Sequence, residues 1–337
     1  MPSVIKCLGK GFNTVAYKAQ LLILPIVLDL FLLFGPKLRV SEWLTPSVEE
    51  AWNSMLSSVP ESLYTQFADS VEVVKAYLAS INLFALTQSF PVSVSVLFKG
   101  YSAATPLGTS PEVQIRSWLA LIPLCVLIYI VGLLLGIVYY AWTSRVCEET
   151  PSKFSWKRLA SKAGNTILMI IIMAAIVIAL LAPVTCVLTL VFMTMPAFYE
   201  VAVLLLIALA CWLIVPLFWI PAGIFAKDQN FFESVKESFK LFTWSAPLTV
   251  RFILYVIVIT LGMNMIWDIP EQTSWLVLIG IFGHAFISTA LLASAFILYR
   301  EMQKWQEENK AFLDWRKANL AFSKMKNSTK KEAENHE

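Results

Sequence analysis

The chain has 337 residues, of which 58% are apolar and only 15% charged, against a soluble norm of about 25% charged. Its net charge of +3 is too small to mark a nucleic-acid partner. The charges cluster between long apolar windows, which excludes a soluble fold, because a globular helix needs a polar face and a membrane span of about 20 apolar residues does not. The expected fold class is all-α: a polytopic bundle of six transmembrane helices, with cytoplasmic interfacial amphipathic helices and a small helical extracytoplasmic insertion.

Residues 1–35 are read as an interfacial helix and a first span. Val4, Ile5, Leu8, Phe12 and Val15 share a helical face against Lys6, Lys10 and Lys18. The span, Ala19–Gly35, is short and carries Pro25 and Asp29. Its competing reading is a cleaved signal peptide. The long polar lead and the following Gly35, Pro36, Lys37, Leu38 and Arg39, which supply no small-x-small cleavage pattern, favour an uncleaved span.

Residues 36–117 form the extracytoplasmic insertion. Thr45 and Pro46 read as an N-cap and first-turn proline, opening a helix with Val48, Trp52, Met55, Leu56 and Val59 on one face. After Pro60 the residues Leu63, Phe67, Val71, Val74, Leu78 and Ile81 repeat the pattern. From Pro91, Val92, Val94, Val96 and Phe98 alternate with Ser93, Ser95 and Lys99. That is a strand period, but a lone strand has no partner. Residues 84–112 are therefore expected to be extended or irregular, lying along the membrane or over the helices.

Residues 118–299 hold five further spans: Trp118–Trp142, Thr166–Met193, Val201–Phe225, Pro247–Trp267 and Trp275–Tyr299. Residues 300–337 continue the last helix as a cytoplasmic amphipathic stretch with Trp305, Phe312, Trp315 and Phe322, then a polar tail expected to be disordered from about Asn327. Loop charges set the orientation. Three basic residues precede the first span, five lie in 143–165, three in 226–246 and nine after Tyr299, whereas 194–200 and 268–274 have none. Both termini are thus expected on the cytoplasmic side of the cell (plasma) membrane.

Each outward span is preceded by a short amphipathic segment, an internal repeat of elbow and hairpin. The second elbow holds Phe154, Trp156, Leu159 and Ala163, and the third Phe231, Phe232, Val235, Phe239 and Phe242. Asn230 and Glu233 have the spacing of a capping box. The segment Asp228–Phe242, DQNFFESVKESFKLF, followed by a long span, resembles the repeated elbow–span units of the membrane domain found beside some glycerophosphodiester phosphodiesterases and of related bacterial membrane families. The likeness covers about residues 120–300. It implies a non-catalytic membrane module. The catalytic barrel of that enzyme has no counterpart here, so no functional residue carries over.

Polar groups at membrane depth are the candidate sites. Asp29 lies about six residues, or about 9 Å, from the outer end of its span, and His284 about nine residues, or about 13 Å, at 1.5 Å per residue. Asn264 is near the outer end of the fifth span. Asp29, His284 and Asn264 are expected to share one layer, where an Asp–His pair would satisfy the carboxylate or begin a proton relay. Arg251, about four residues into its span, reads as an interfacial anchor. Gly132 and Gly136 form a GxxxG helix-packing face, expected to meet a neighbouring helix of the same bundle. Pro183, Pro216 and Pro221 predict kinks.

No HExxH, P-loop, GxSxG or CxxC pattern occurs, and the second of two histidines, His336, lies in the polar tail. No metal or cofactor is expected, and an enzyme is disfavoured. The sequence reads as a non-enzymatic scaffold, accessory subunit or lipid-interacting module, whose partners are the bilayer and a membrane protein or second copy. The alternative is a small transporter or channel subunit using Asp29 and His284.

Overall fold

The computed structural model describes residues 1–56, 64–88, 90–98, 102–148, 155–195, 198–310, 312 and 315. It is helical throughout, with two very small sheets among the described residues. Five helices are long and apolar enough to cross a bilayer. They are α5 (Trp118–Val146), α6 (Trp156–Thr194), α7 (Tyr199–Ile214) continued through a 3-10 turn into α8 (Ile220–Ala226), α9 (Phe231–Trp267) and α10 (Val277–Glu308).

The expected first span takes a different form. A 3-10 turn, Ala19–Leu22, leads into α2 (Ile23–Phe34), and the unit is bent 89° from α1 (Val4–Tyr17). With the four-residue 3-10 turn, the twelve residues of α2 rise about 26 Å at about 2.0 and 1.5 Å per residue, just under a core about 30 Å thick. The count is therefore five spans, or six if this bent pair counts as one.

Two of the three expected elbows are also corrected. In α6 the amphipathic segment runs straight into the span as one helix of 39 residues; Phe154 lies outside the described residues. In α9 the break is a kink at Ser245 (φ −132°, ψ 27°) ahead of Pro247. The proline has no N–H to offer the preceding turn and its ring crowds the carbonyl four residues back. The Ser245 hydroxyl bonds Leu241 O at 2.5 Å. The Asn230–Glu233 capping box is formed, with Asn230 N donating to Glu233 Oε2 at 3.2 Å.

α1 buries Val4, Cys7, Gly11 and Val15 and crosses α10. Phe12 meets Phe286 edge-on at 5.8 Å, and Lys10 pairs with Glu301 at 2.7 Å. The main core surrounds Trp219, which stacks on Phe252 at 5.7 Å and donates its indole N–H to Thr249 Oγ1 at 3.0 Å. α6 and α7 contribute little to it. Only 6% of the most apolar stretch of each is buried, against 56% for α10, so this hairpin presents apolar side chains to its surroundings on most sides.

The insertion begins with β1 (Lys37–Arg39), which pairs in parallel with β4 (Glu112–Gln114), Leu38 opposite Val113. A hairpin of β2 (Ala104–Thr105) and β3 (Gly108–Thr109) lies between them in sequence. α3 (Ser41–Leu56) and α4 (Tyr64–Ser80) pack together, with Lys75 bridging Glu49 at 2.7 Å. α3 starts at Ser41, so Pro46 is inside the helix and not at its first turn. The first turns close on Val40 O, which accepts from Leu44 N at 2.9 Å, and only the one bond that Pro46 lacks is lost. The apolar faces read at Val59, Leu63 and Phe67 fall on residues or side chains outside the described ones.

Lys37 is buried, 1% exposed. Its ammonium donates to Leu32 O and, at 2.9 Å, to Leu33 O, closing the C-terminal end of α2. Burial, then the nearby Arg39 cation, bring the Lys37 pKa from an ordinary 10.5 down to about 8, with Glu112 acting against them. The folded chain then binds fewer protons than the unfolded one between those two values, so stability rises with pH across that window. The melting temperature of the detergent-solubilised protein is expected to climb from pH 8 towards 10. In Lys37→Met the climb should be absent, and an equal climb in both proteins rejects the assignment.

Candidate functional site

Residues 92–98 form neither helix nor strand, yet they are not peripheral. Val92 and Val94 are 0% exposed and Val96 8%. They pack among Leu28, Leu32, Leu133, Ile137 and Tyr139 of α2 and α5. The period-2 alternation thus persists, with its valines turned into the bundle. A backbone buried this way must find partners for its N–H and C=O groups, and the predicted site residues provide several.

Asp29 is 0% exposed. Its Oδ1 accepts from Leu97 N at 2.7 Å and Phe98 N at 2.9 Å; Oδ2 has no bond among the described residues. His284 does not contact Asp29. Its Nε2 lies 3.2 Å from Ser95 Oγ, on the same segment. The expected Asp–His pair is therefore replaced by two helices that each grip residues 95–98. The physical reason is that two peptide N–H groups satisfy a buried carboxylate better than one imidazole does.

Gly132 and Gly136 are corrected in the same sense. They do not seat another membrane-spanning helix: Thr87 ends a short 3-10 helix, Leu83–Thr87, and Val92 follows it. A Cβ on Gly132 would lie 2.4 Å from Thr87 O, and one on Gly136 2.5 Å from Val92 O. The small-residue face of α5 admits the incoming backbone of the insertion.

Around His284 is a cavity of about 240 Å³. Its walls include Tyr139, Tyr140, Phe252, Val256 and Leu291, and its polar groups are Ser93, Ser95, Thr260, Asn264, His284 and Ser288. Asn264 and His284 are thus brought to one cavity, which Asp29 does not line. Among the described residues no carboxylate hydrogen-bonds the His284 ring. Ser288 Oγ donates to His284 O at 2.7 Å, and Tyr139 OH and Thr289 Oγ1 are 2.7 Å apart. Arg251 is exposed on α9.

Sequence reasoning missed Ser95. Its alternation with valines put it on the face opposite them, but nothing local named His284, 189 positions away, as its neighbour. It also missed a polar knot at the basic end of the bundle. There Arg300 Nη2 donates to Ser144 O at 2.9 Å, Ser144 Oγ at 3.0 Å and Glu148 Oε1 at 3.3 Å, and its Nε to Ala226 O at 3.4 Å. Lys162 donates to Phe225 O and pairs with Asp228, both at 2.9 Å. Asp228 itself has φ 53°, the left-handed turn that ends α8.

Comparison with protein-family models, curated proteins and solved structures finds no match to this chain.

Proposed function

We propose that the chain is a non-enzymatic multi-pass membrane protein that interacts with lipid, holding an apolar or amphipathic molecule in the cavity at His284. The carrying observation is that cavity's lining: aromatic and aliphatic walls with a few polar groups converging at Ser95, Asn264 and His284, the pattern of a small-molecule site. The likeness to a non-catalytic elbow–span module points the same way. An ion or proton path is less well supported, because Asp29 is engaged by two backbone amides and lies off the cavity. At the bare α6–α7 hairpin, another membrane protein or a second copy would complete an accessory role. The test is mass spectrometry of the protein released from mild detergent. A hydrophobic adduct is expected on the wild type and its loss on Val256→Trp, which fills the cavity. Adduct-free wild type, or equal retention by the variant, rejects the reading.

One observation favours a second reading. Ser95 and His284 stand at the distance of a nucleophile and its base, which would make the cavity a hydrolytic site for an acyl group. Labelling by a fluorophosphonate probe that disappears in Ser95→Ala would establish it. An unlabelled wild type leaves the contact as a bond that seats the insertion.

A further inference from the structure

The basic end of the bundle holds two adjoining cavities between α5, α6 and the turn after α8. The first, of about 310 Å³, is lined by Arg145, Glu148, Ser155, Arg158, Lys162 and Asp228, with an apolar wall that includes Trp142 and Leu159. The second, of about 520 Å³, shares Ser155, Arg158, Lys162 and Asp228 and adds Lys157. Cations outnumber carboxylates in both, and the carboxylates are already engaged. Asp228 binds Lys162 at 2.9 Å and lies 4.0 Å from Arg158, while Glu148 binds Arg300 at 3.3 Å. The Arg145 guanidinium has no hydrogen bond or ion pair among the described residues, and that of Arg158 only the long contact.

The start of α6 sharpens the imbalance. Ser155 is its N-cap but makes no side-chain capping bond, and its first turn has no acidic residue. Lys157 and Arg158 occupy that turn, where the helix dipole favours anions and disfavours cations. Among the described residues, cations without a matching anion, a hydroxyl that makes no capping bond and open first-turn N–H groups therefore surround a cavity whose own carboxylates are taken. The apolar wall at Trp142 and Leu159, and the exposed Trp156 that opens α6, are the kind of groups that suit a headgroup boundary.

We propose that this cleft binds the phosphate group of an anionic phospholipid, Arg145 and Arg158 taking the phosphate oxygens and Trp142 and Leu159 flanking the first part of the acyl chains. The site is distinct from the His284 cavity, and either assignment can fail alone. The full chain is reconstituted in nanodiscs of phosphatidylcholine alone or doped with phosphatidylglycerol, and retained lipids are counted by native mass spectrometry. Wild type should retain phosphatidylglycerol over phosphatidylcholine by on the order of tenfold, and Arg145→Gln with Arg158→Gln should remove the preference. No preference in wild type, or the same preference in the variant, overturns the site. Should the double variant fail to fold, Ser155→Asp decides. Its carboxylate caps α6 and occupies the anion position, so melting in phosphatidylcholine should rise while phosphatidylglycerol preference falls, and an undiminished preference overturns the site. Inorganic phosphate raising the melting temperature in phosphatidylcholine discs as much as phosphatidylglycerol does would overturn the lipid assignment in favour of free phosphate.

Discussion

Asp29→Leu is expected to destabilise the protein by about 2–6 kcal/mol, because it strands two buried amides at about 1–3 kcal/mol each. The leucine matches the apolar surroundings and removes a polar group from the bundle, so hydropathy alone would predict a gain. The sign reverses because Leu97 N and Phe98 N have their acceptor in Asp29 Oδ1, and at a fully buried site no water replaces it. Asp29→Asn keeps an amide oxygen at the same place and should lose only about 1 kcal/mol. The ordering wild type, Asn, Leu in detergent melting temperature is the measurement. It also separates a structural carboxylate from a transport one. A proton site would lose flux in Asp29→Asn with melting unchanged, whereas the geometry predicts a graded loss of stability. If Leu and Asn melt alike and close to wild type, the insertion is not held by Asp29.

What the sequence made legible follows the range of the forces involved. The spans after residue 118 are local, since about 20 consecutive apolar residues announce themselves without reference to anything else. The capping box at Asn230 and Glu233 is equally local and is formed. The alternation of Val92, Val94 and Val96 marked the side chains that are buried. The segment's destination was not legible, because the acceptor for Leu97 and Phe98 lies 68 and 69 positions away. Gly132 and Gly136 carried the converse problem. Their pattern states that something comes close, and the backbone at Thr87 and Val92, not another span, does so. The first span was legible only in part for a related reason. Composition marks residues 19–35 as apolar, while the 89° bend at Lys18 depends on where α1 packs along α10. Asp29, His284 and Asn264 were recognisable as costly residues in an apolar setting, but which of them touch is a tertiary fact.

Arg300→Met should lower stability by about 3 kcal/mol, at the modest end of what truncating a buried ion pair costs, since the partners keep some solvent exposure (18% and 25%). The side chain links three elements. From α10 it reaches Ser144 and Glu148 at the end of α5 and Ala226 at the end of α8. Those are helix C-termini, whose carbonyls have no intrahelical donors and whose dipoles favour a cation. Methionine fills a similar volume but takes from Glu148 its arginine partner at 3.3 Å and from the Ser144 carbonyl its donor. Arg300→Lys preserves the charge and loses the planar fork that serves several acceptors at once, so it should fall between Met and wild type. Thermal melting of the three proteins gives the order. Glu148→Gln in the Arg300→Met background should recover part of the loss, because the half-buried carboxylate that lost its arginine is then neutral. If Glu148→Gln recovers nothing there, the cost of Arg300→Met lies in the uncapped helix ends and not in the ion pair; if Arg300→Met melts with wild type, the knot does not hold α5, α8 and α10 together.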